Sequence, residues 1–156
     1  MKIITLFVFI LIFLSCKQPD SKENITENEF IEIVNGVSKG WNEENAELSA
    51  QYFDDDAVYE EPPKQQFYRG KANIFKFFGG IMGRGTPMKM KWHNLAFNEE
   101  VQVGFGEYTF ARLNQFHGIV VLKFKNGKIL KWREYQYKSD LNWTDFTGES
   151  EFKTVK

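Results

Sequence analysis

Apolar positions recur at two periods along this chain, and the change of period divides it into a helical first part and a β-rich second part. Thr26 followed by Glu29 forms a capping box that announces a helix. Phe30, Ile33, Val34, Val37 and Trp41 then give one apolar stripe at helical spacing. A shorter helix is predicted from about Asn45, carrying Leu48 and Tyr52 and ending at Asp54-Asp55-Asp56, read as a solvated turn. Ala57 to Glu61 reads as a short strand that Pro62-Pro63 must terminate. A third helix follows Arg69-Gly70, with Ile74, Phe75, Phe78, Ile81 and Met82 on one face, and Gly83, Gly85 and Pro87 end it. Beyond it the period falls to two. Met88, Met90 and Trp92 alternate, and Leu95 and Phe97 continue in the opposite phase, so a bulge is expected near His93-Asn94. Val101, Val103 and Phe105 give way to Tyr108 and Phe110, and a second bulge is expected near Gly104 and Gly106. Phe116 to Phe124 and Ile129 to Tyr137 flank Asn126-Gly127, a strong hairpin signal. Three helices, one short strand among them and a four-strand meander make an α+β domain, its helices gathered on one face of a curved antiparallel sheet.

The first residues follow neither period. Ile3 to Leu14 is apolar except for Thr5, preceded by Lys2 and followed by Ser15-Cys16 and the polar run Lys17 to Asn24. As a helix it would span about 18 Å, short of a hydrocarbon core of about 30 Å, which suits a signal peptide better than a membrane span. The segment resembles the lipobox of bacterial lipoproteins, with Phe13 where leucine is usual. That resemblance implies removal of residues 1–15, lipidation of Cys16 (a palmitate-type acyl chain among the lipids) and attachment to a membrane of the cell envelope. Lys17 after the cysteine implies the outer membrane by the same resemblance. The alternative is an ordinary secretory signal with an incidental cysteine. Residues 16–25 then form the lipidated cysteine and a polar tether, and 26–156 the domain.

Composition narrows the chemistry. Cys16 is the only cysteine, so an internal disulfide, a thiolate zinc site and a thiol nucleophile are excluded within the domain. The net charge is −1 with acids and bases interspersed, which argues against nucleic acid as a partner. His93 and His117 are the two histidines and neither has ligand spacing to a second, so no metal and no cofactor is expected. Sixteen Phe, six Tyr and four Trp suit an aromatic core, which accounts for most of them, and also a pocket for a small apolar molecule.

The domain resembles the SnoaL-like group of the nuclear transport factor 2-like superfamily over about residues 27–138. The resemblance rests on Tyr52 to Pro62, Tyr68-Arg69-Gly70-Lys71, Gly106 to Phe110, His117 to Val121, and Asn126 to Ile129 continuing through Trp132-Arg133-Glu134-Tyr135. It implies a cone: a curved antiparallel sheet wrapped around three N-terminal helices, with a pocket at the open end. Counting back from Lys125 opposite Lys128 sets Ile119 opposite Glu134 and His117 opposite Gln136. That register puts His117, Ile119, Val121, Trp132, Glu134 and Gln136 on one face, and Val120, Leu122, Phe124, Ile129 and Tyr135 on the other. The second set implies a homodimer through the outer sheet face, as the family also does.

Glu134, His117 and Tyr59 are therefore the candidate acid–base residues, and Glu61, Trp92, Tyr108, Phe110 and Trp132 the candidate ligand-binding ones. The plainer alternatives are a solvated, ion-paired Glu134 and a structural His117. Limonene epoxide hydrolases, of the same superfamily, carry Tyr-x-Asn and Trp-Arg-Asp-Tyr where this chain has Tyr59-Glu60-Glu61 and Trp132-Arg133-Glu134-Tyr135. Their Arg-x-Asp pair is replaced by Tyr108-Thr109-Phe110. The expected function is thus binding of a small, largely apolar molecule, with an isomerase, cyclase or hydrolase using Glu134 as the alternative.

Overall fold

The structure is a computed structural model that describes residues 24–85 and 88–147. The signal-like run, Cys16 and Pro87 lie outside those residues.

Helix α1, Glu27–Asn42, starts where the capping box places it: Thr26 Oγ1 accepts from the Glu29 amide, and the Glu29 carboxylate accepts from the Thr26 amide at 2.9 Å. Its apolar stripe, Phe30 to Trp41, is buried. Helix α2, Ala46–Ala50, is shorter than expected and turns Ala46, Ser49 and Ala50 inward, leaving Leu48 and Tyr52 half-buried. The reason is a close helix–helix approach: a Cβ at Gly40 would lie 2.2 Å from Ser49 Oγ, so only small side chains fit the contact.

Strand β1, Phe53–Glu61, begins earlier than expected and includes Asp54 to Asp56. Its pairing jumps from Phe53 opposite Ile129 to Val58 opposite Lys131, so the three acids bulge away from the ladder, with Asp54 half-buried and Asp55 and Asp56 exposed. A tight turn at Pro62–Lys64 leads to β2, Gln66–Arg69, a strand the apolar pattern did not announce. Helix α3, Lys71–Phe77, stops before Gly79 and Gly80, both with positive φ. Its expected face is cut after Phe78, and Ile81 and Met82 are 96% and 95% exposed.

Strands β3 (Lys89–Asn98), β4 (Val103–Ala111), β5 (Gln115–Lys125) and β6 (Lys128–Lys138) form the meander, and a short helix α4 follows at Trp143–Thr147. The sheet order is β2-β1-β6-β5-β4-β3, and β1 runs parallel to β6, the one exception to an antiparallel sheet. The bulge at His93 is present, between Trp92 opposite Tyr108 and Asn94 opposite Glu107. The second expected bulge is absent, because β4 pairs without a break from Val103 to Ala111. Gly104, Gly106 and Tyr108 all face inward, and the glycines make room for rings. A Cβ would sit 2.5 Å from Phe30 at Gly104 and 2.8 Å from Trp92 at Gly106.

One residue corrects the register of the hairpin. Asn126 and Gly127 form the turn with positive φ, and Lys125 faces Lys128. Phe124 then faces Ile129 but Lys123 faces Lys131, so Leu130 is an extra residue in β6. Every pair beyond it moves by one: Val120 faces Glu134, and His117 faces Tyr137. Val120, Leu122, Phe124 and Ile129 are therefore core residues, packed with α1 inside the curved sheet, and not the outer face expected of them. His117, Ile119 and Val121 change to the outer side.

Candidate functional site

The floor of the cone is built on Glu134, whose side chain is 1% exposed. Alternation along β6 brings Trp132, Glu134 and Gln136 to the inner face, and β1 and β4 deliver Tyr59 and Tyr108 beside them. Tyr59 Oη donates to Glu134 Oε1 at 2.5 Å and Gln136 Nε2 to the same oxygen at 2.7 Å. Tyr108 Oη donates to Oε2 at 3.1 Å and Trp132 Nε1 at 3.0 Å. Two donors on each oxygen fill the four lone-pair directions of a carboxylate. Burial, with the Glu134 charge adding to it, pushes both phenols well above their ordinary pKa. They remain protonated donors at neutral pH. Gly118 makes this cluster possible, since a Cβ there would lie 2.3 Å from the Tyr108 ring.

Above the floor lies a cavity of about 490 Å³. Its walls include Trp41, Tyr59, Phe77, Met88, Phe110 and Phe116, with Glu134 and Gln136 at the base. Glu61 also faces it, only 2% exposed at the end of β1, and its Oε1 meets Lys64 Nζ at 2.5 Å across the Pro62–Lys64 turn. Burial pushes the Glu61 carboxyl up; Lys64 pulls it back and Glu134 adds to the rise. Arg84, after α3, and Arg112, in the β4–β5 turn, stand at the mouth.

The cavity brings together Tyr59, Glu61, Phe110 and Glu134 of the sequence candidates. Trp132 and Tyr108 lie behind it, as the packing and hydrogen-bonding backing of the floor, and Trp92 donates Nε1 to the Val34 carbonyl at 3.1 Å. His117 is not beside Glu134. It lies on the outer face, its Nε2 2.9 Å from the Leu141 carbonyl and its ring stacked near Trp143. The one-residue shift at Leu130 is the cause. Trp41, Lys64, Arg84 and Arg112 were not singled out from sequence. Trp41 read as the last member of a helical core stripe, and the arginines sit in turns without a periodic signal. Among the described residues, no group of three or more His, Cys, Asp or Glu is placed to hold a metal, and no helix is long and apolar enough to cross a membrane.

Comparison with known proteins agrees with this architecture. The SnoaL-like domain family matches residues 34–132. An NTF-2 like protein of unknown function from Burkholderia xenovorans LB400 superposes with a TM-score of 0.60 at 18% identity, over 83% of this chain and 98% of that one. An LEH-like epoxide hydrolase from M. tuberculosis gives a TM-score of 0.61 at 23% identity, over 70% of this chain and 84% of that one. An epoxide hydrolase/cyclase-like enzyme of pyran ring formation in the polyether salinomycin gives 0.61 at 16%, over 71% and 92%. At these identities the likeness is one of fold. No curated protein matches the chain. With the family matched over residues 34–132, the chain belongs to the SnoaL-like domain family, and it shares the NTF2-like fold of its structural neighbours.

Proposed function

We propose that this protein binds a small, largely apolar molecule inside the cone, while a lipid on Cys16 holds it on the bacterial envelope, at the outer membrane. The observation that carries the binding reading is the aromatic-walled cavity of about 490 Å³, a size typical of small-molecule sites. Its floor favours binding over catalysis by Glu134. A general base needs a free lone pair facing the proton it removes, and all four directions on Glu134 are occupied. His117 cannot serve it from the other side of the sheet.

A second reading, an acid–base enzyme of isomerase, cyclase or hydrolase type, is favoured by Glu61. It is a buried carboxyl whose pKa burial raises, lines the cavity and has an ammonium partner, which suits a proton-transfer role. The outer sheet face supports a second copy of the chain as partner. Phe105, Val121 and Arg133 form one cross-strand row, and Glu107, Ile119 and Tyr135 the next, with the apolar members exposed.

Titration of the uncharged fluorophore N-phenyl-1-naphthylamine into the purified protein tests the binding reading. Saturable binding of one molecule per chain, with quenching of tryptophan emission because Trp41 lines the cavity, is expected. Emission that rises linearly without saturation would end it.

A further inference from the structure

The cavity is not electrically even, and the imbalance indicates the class of molecule it takes. Five Lys, Arg and Glu side chains line it: Lys64, Arg84, Arg112, Glu61 and Glu134. Lys64 is engaged by Glu61, and Glu134 is satisfied by four neutral donors at the floor. Arg84 and Arg112 remain, and among the described residues neither has a carboxylate within ion-pair distance. Arg84 lies over the Phe77 ring at 4.5 Å, and its Nη2 donates to the Phe77 carbonyl. Its Nη1 has only Met88 Sδ, at 3.8 Å. Arg112 Nη2 donates to the Arg84 carbonyl at 2.9 Å, which ties the two loops together at the mouth. A guanidinium has five N–H donors, so most of this pair's capacity is unused by the protein. Burial opposes the charge on Arg84 and the neighbouring Arg112 adds to that opposition, although the Glu134 carboxylate at the floor favours it. The carboxylates deeper in the cavity balance the three cations only in part, so the five side chains carry a net charge of +1, which an incoming monoanion would neutralise.

Deeper in the same cavity, Trp41 is 7% exposed and its Nε1 has no hydrogen-bond partner; Gln136 Oε1 is likewise unpartnered. Buried polar groups are normally paired, so both mark places that a ligand or solvent must fill.

We infer that the cavity takes an amphipathic monoanion: an apolar body between Trp41, Tyr59, Phe77 and Phe110, with a carboxylate or sulfonate head held at the mouth by Arg84 and Arg112. An oxygen on the body would accept from Trp41 Nε1. This rests on the binding reading above and adds a charge and an orientation to it.

Two fluorophores that differ in one group separate the two claims. The anion 1-anilinonaphthalene-8-sulfonate and its uncharged counterpart N-phenyl-1-naphthylamine are titrated into wild type, Arg84→Gln and Arg112→Gln, with a thermal melt of each protein. Wild type should bind the anion roughly tenfold more tightly than the neutral probe, as expected for charge-assisted hydrogen bonds. Arg84→Gln should remove most of that preference, read as the ratio of the two affinities so that a change common to both probes cancels. Arg112→Gln, on an exposed side chain with little effect on folding, should lower it several-fold. Equal affinity of wild type for the two probes overturns the inference and leaves the binding reading standing. So does an unchanged preference in Arg112→Gln, or in a folded Arg84→Gln. Failure of both probes to bind wild type overturns both claims.

Discussion

Glu134 is the residue at which hydrogen-bond inventory and charge burial make opposite predictions. Replacing it with leucine removes both acceptor oxygens and strands the four donors that meet them, Tyr59 Oη, Gln136 Nε2, Tyr108 Oη and Trp132 Nε1. The two hydroxyls can turn toward each other or toward Gln136, so about two donors stay orphaned, at roughly 1–3 kcal/mol each. Relief from burying a charge offsets part of this. The expected net loss is about 2–5 kcal/mol, a large share of the roughly 5–15 kcal/mol that holds a domain of this size. Glutamine should behave differently. With the new amide nitrogen toward Tyr59 and Gln136, the Tyr59 hydroxyl can turn to accept. Gln136 can reverse its own amide and offer Oε1, which has no partner in the wild type. The new amide oxygen keeps Tyr108 and Trp132. The Tyr59 hydroxyl proton and the reversed Gln136 Nε2 must then find acceptors in the cavity that both side chains line, and the bonds at the floor are neutral rather than charge-assisted, so a loss of about 1–2 kcal/mol is expected. Urea unfolding of Glu134→Leu and Glu134→Gln at one protein concentration, followed by tryptophan fluorescence, reads both values from the midpoint at unchanged slope. A leucine variant as stable as wild type would show that the cost of the buried charge outweighs its hydrogen bonds. A glutamine variant worse than leucine would show that the donors do not re-pair, and the account of the floor would fall.

Three further outcomes follow from the same geometry. Glu61 has a folded-state pKa raised by burial, so the stability linked to its protonated form is complete below its ordinary value of 4.5 and is lost as pH rises through the folded value. Glu61→Gln should therefore melt with wild type below that pH and higher than wild type at pH 7, since Lys64 is exposed enough to return to water; coincident melts at pH 7 would contradict this. Cys16→Ala should abolish incorporation of a labelled fatty acid in bacteria, and equal labelling of wild type and variant would remove the anchor from the proposal. Ile119→Lys together with Val121→Lys, both on the exposed outer face, should convert a dimer to a monomer by sedimentation with the cone still folded, because two buried like charges per copy oppose the interface. A wild type that sediments as a monomer at tens of micromolar would refute the dimer itself.

Local chemistry alone determined much of this protein. The Thr26–Glu29 box, the stripe from Phe30 to Trp41, the slip at His93 and the Asn126-Gly127 turn each depend on residues within one or two turns of one another, and all are legible in the sequence. Their order was enough for the fold class and for the resemblance that places Glu134 on the floor. What the sequence could not determine depends on non-local pairing. Leu130 enters β6 as an extra residue, and this one shift turns His117 outward and Val120 inward, because side chains in a strand alternate with a period of two. Gly104 and Gly106 carry no hydropathy, so inward positions read as a break in phase. Only the rings of Phe30 and Trp92, distant in sequence, show why no side chain fits there. The mouth of the cavity is of the same kind. Arg84 and Arg112 lie on separate loops with no periodic signal, and only the closure of the sheet around the helices brings them to one opening.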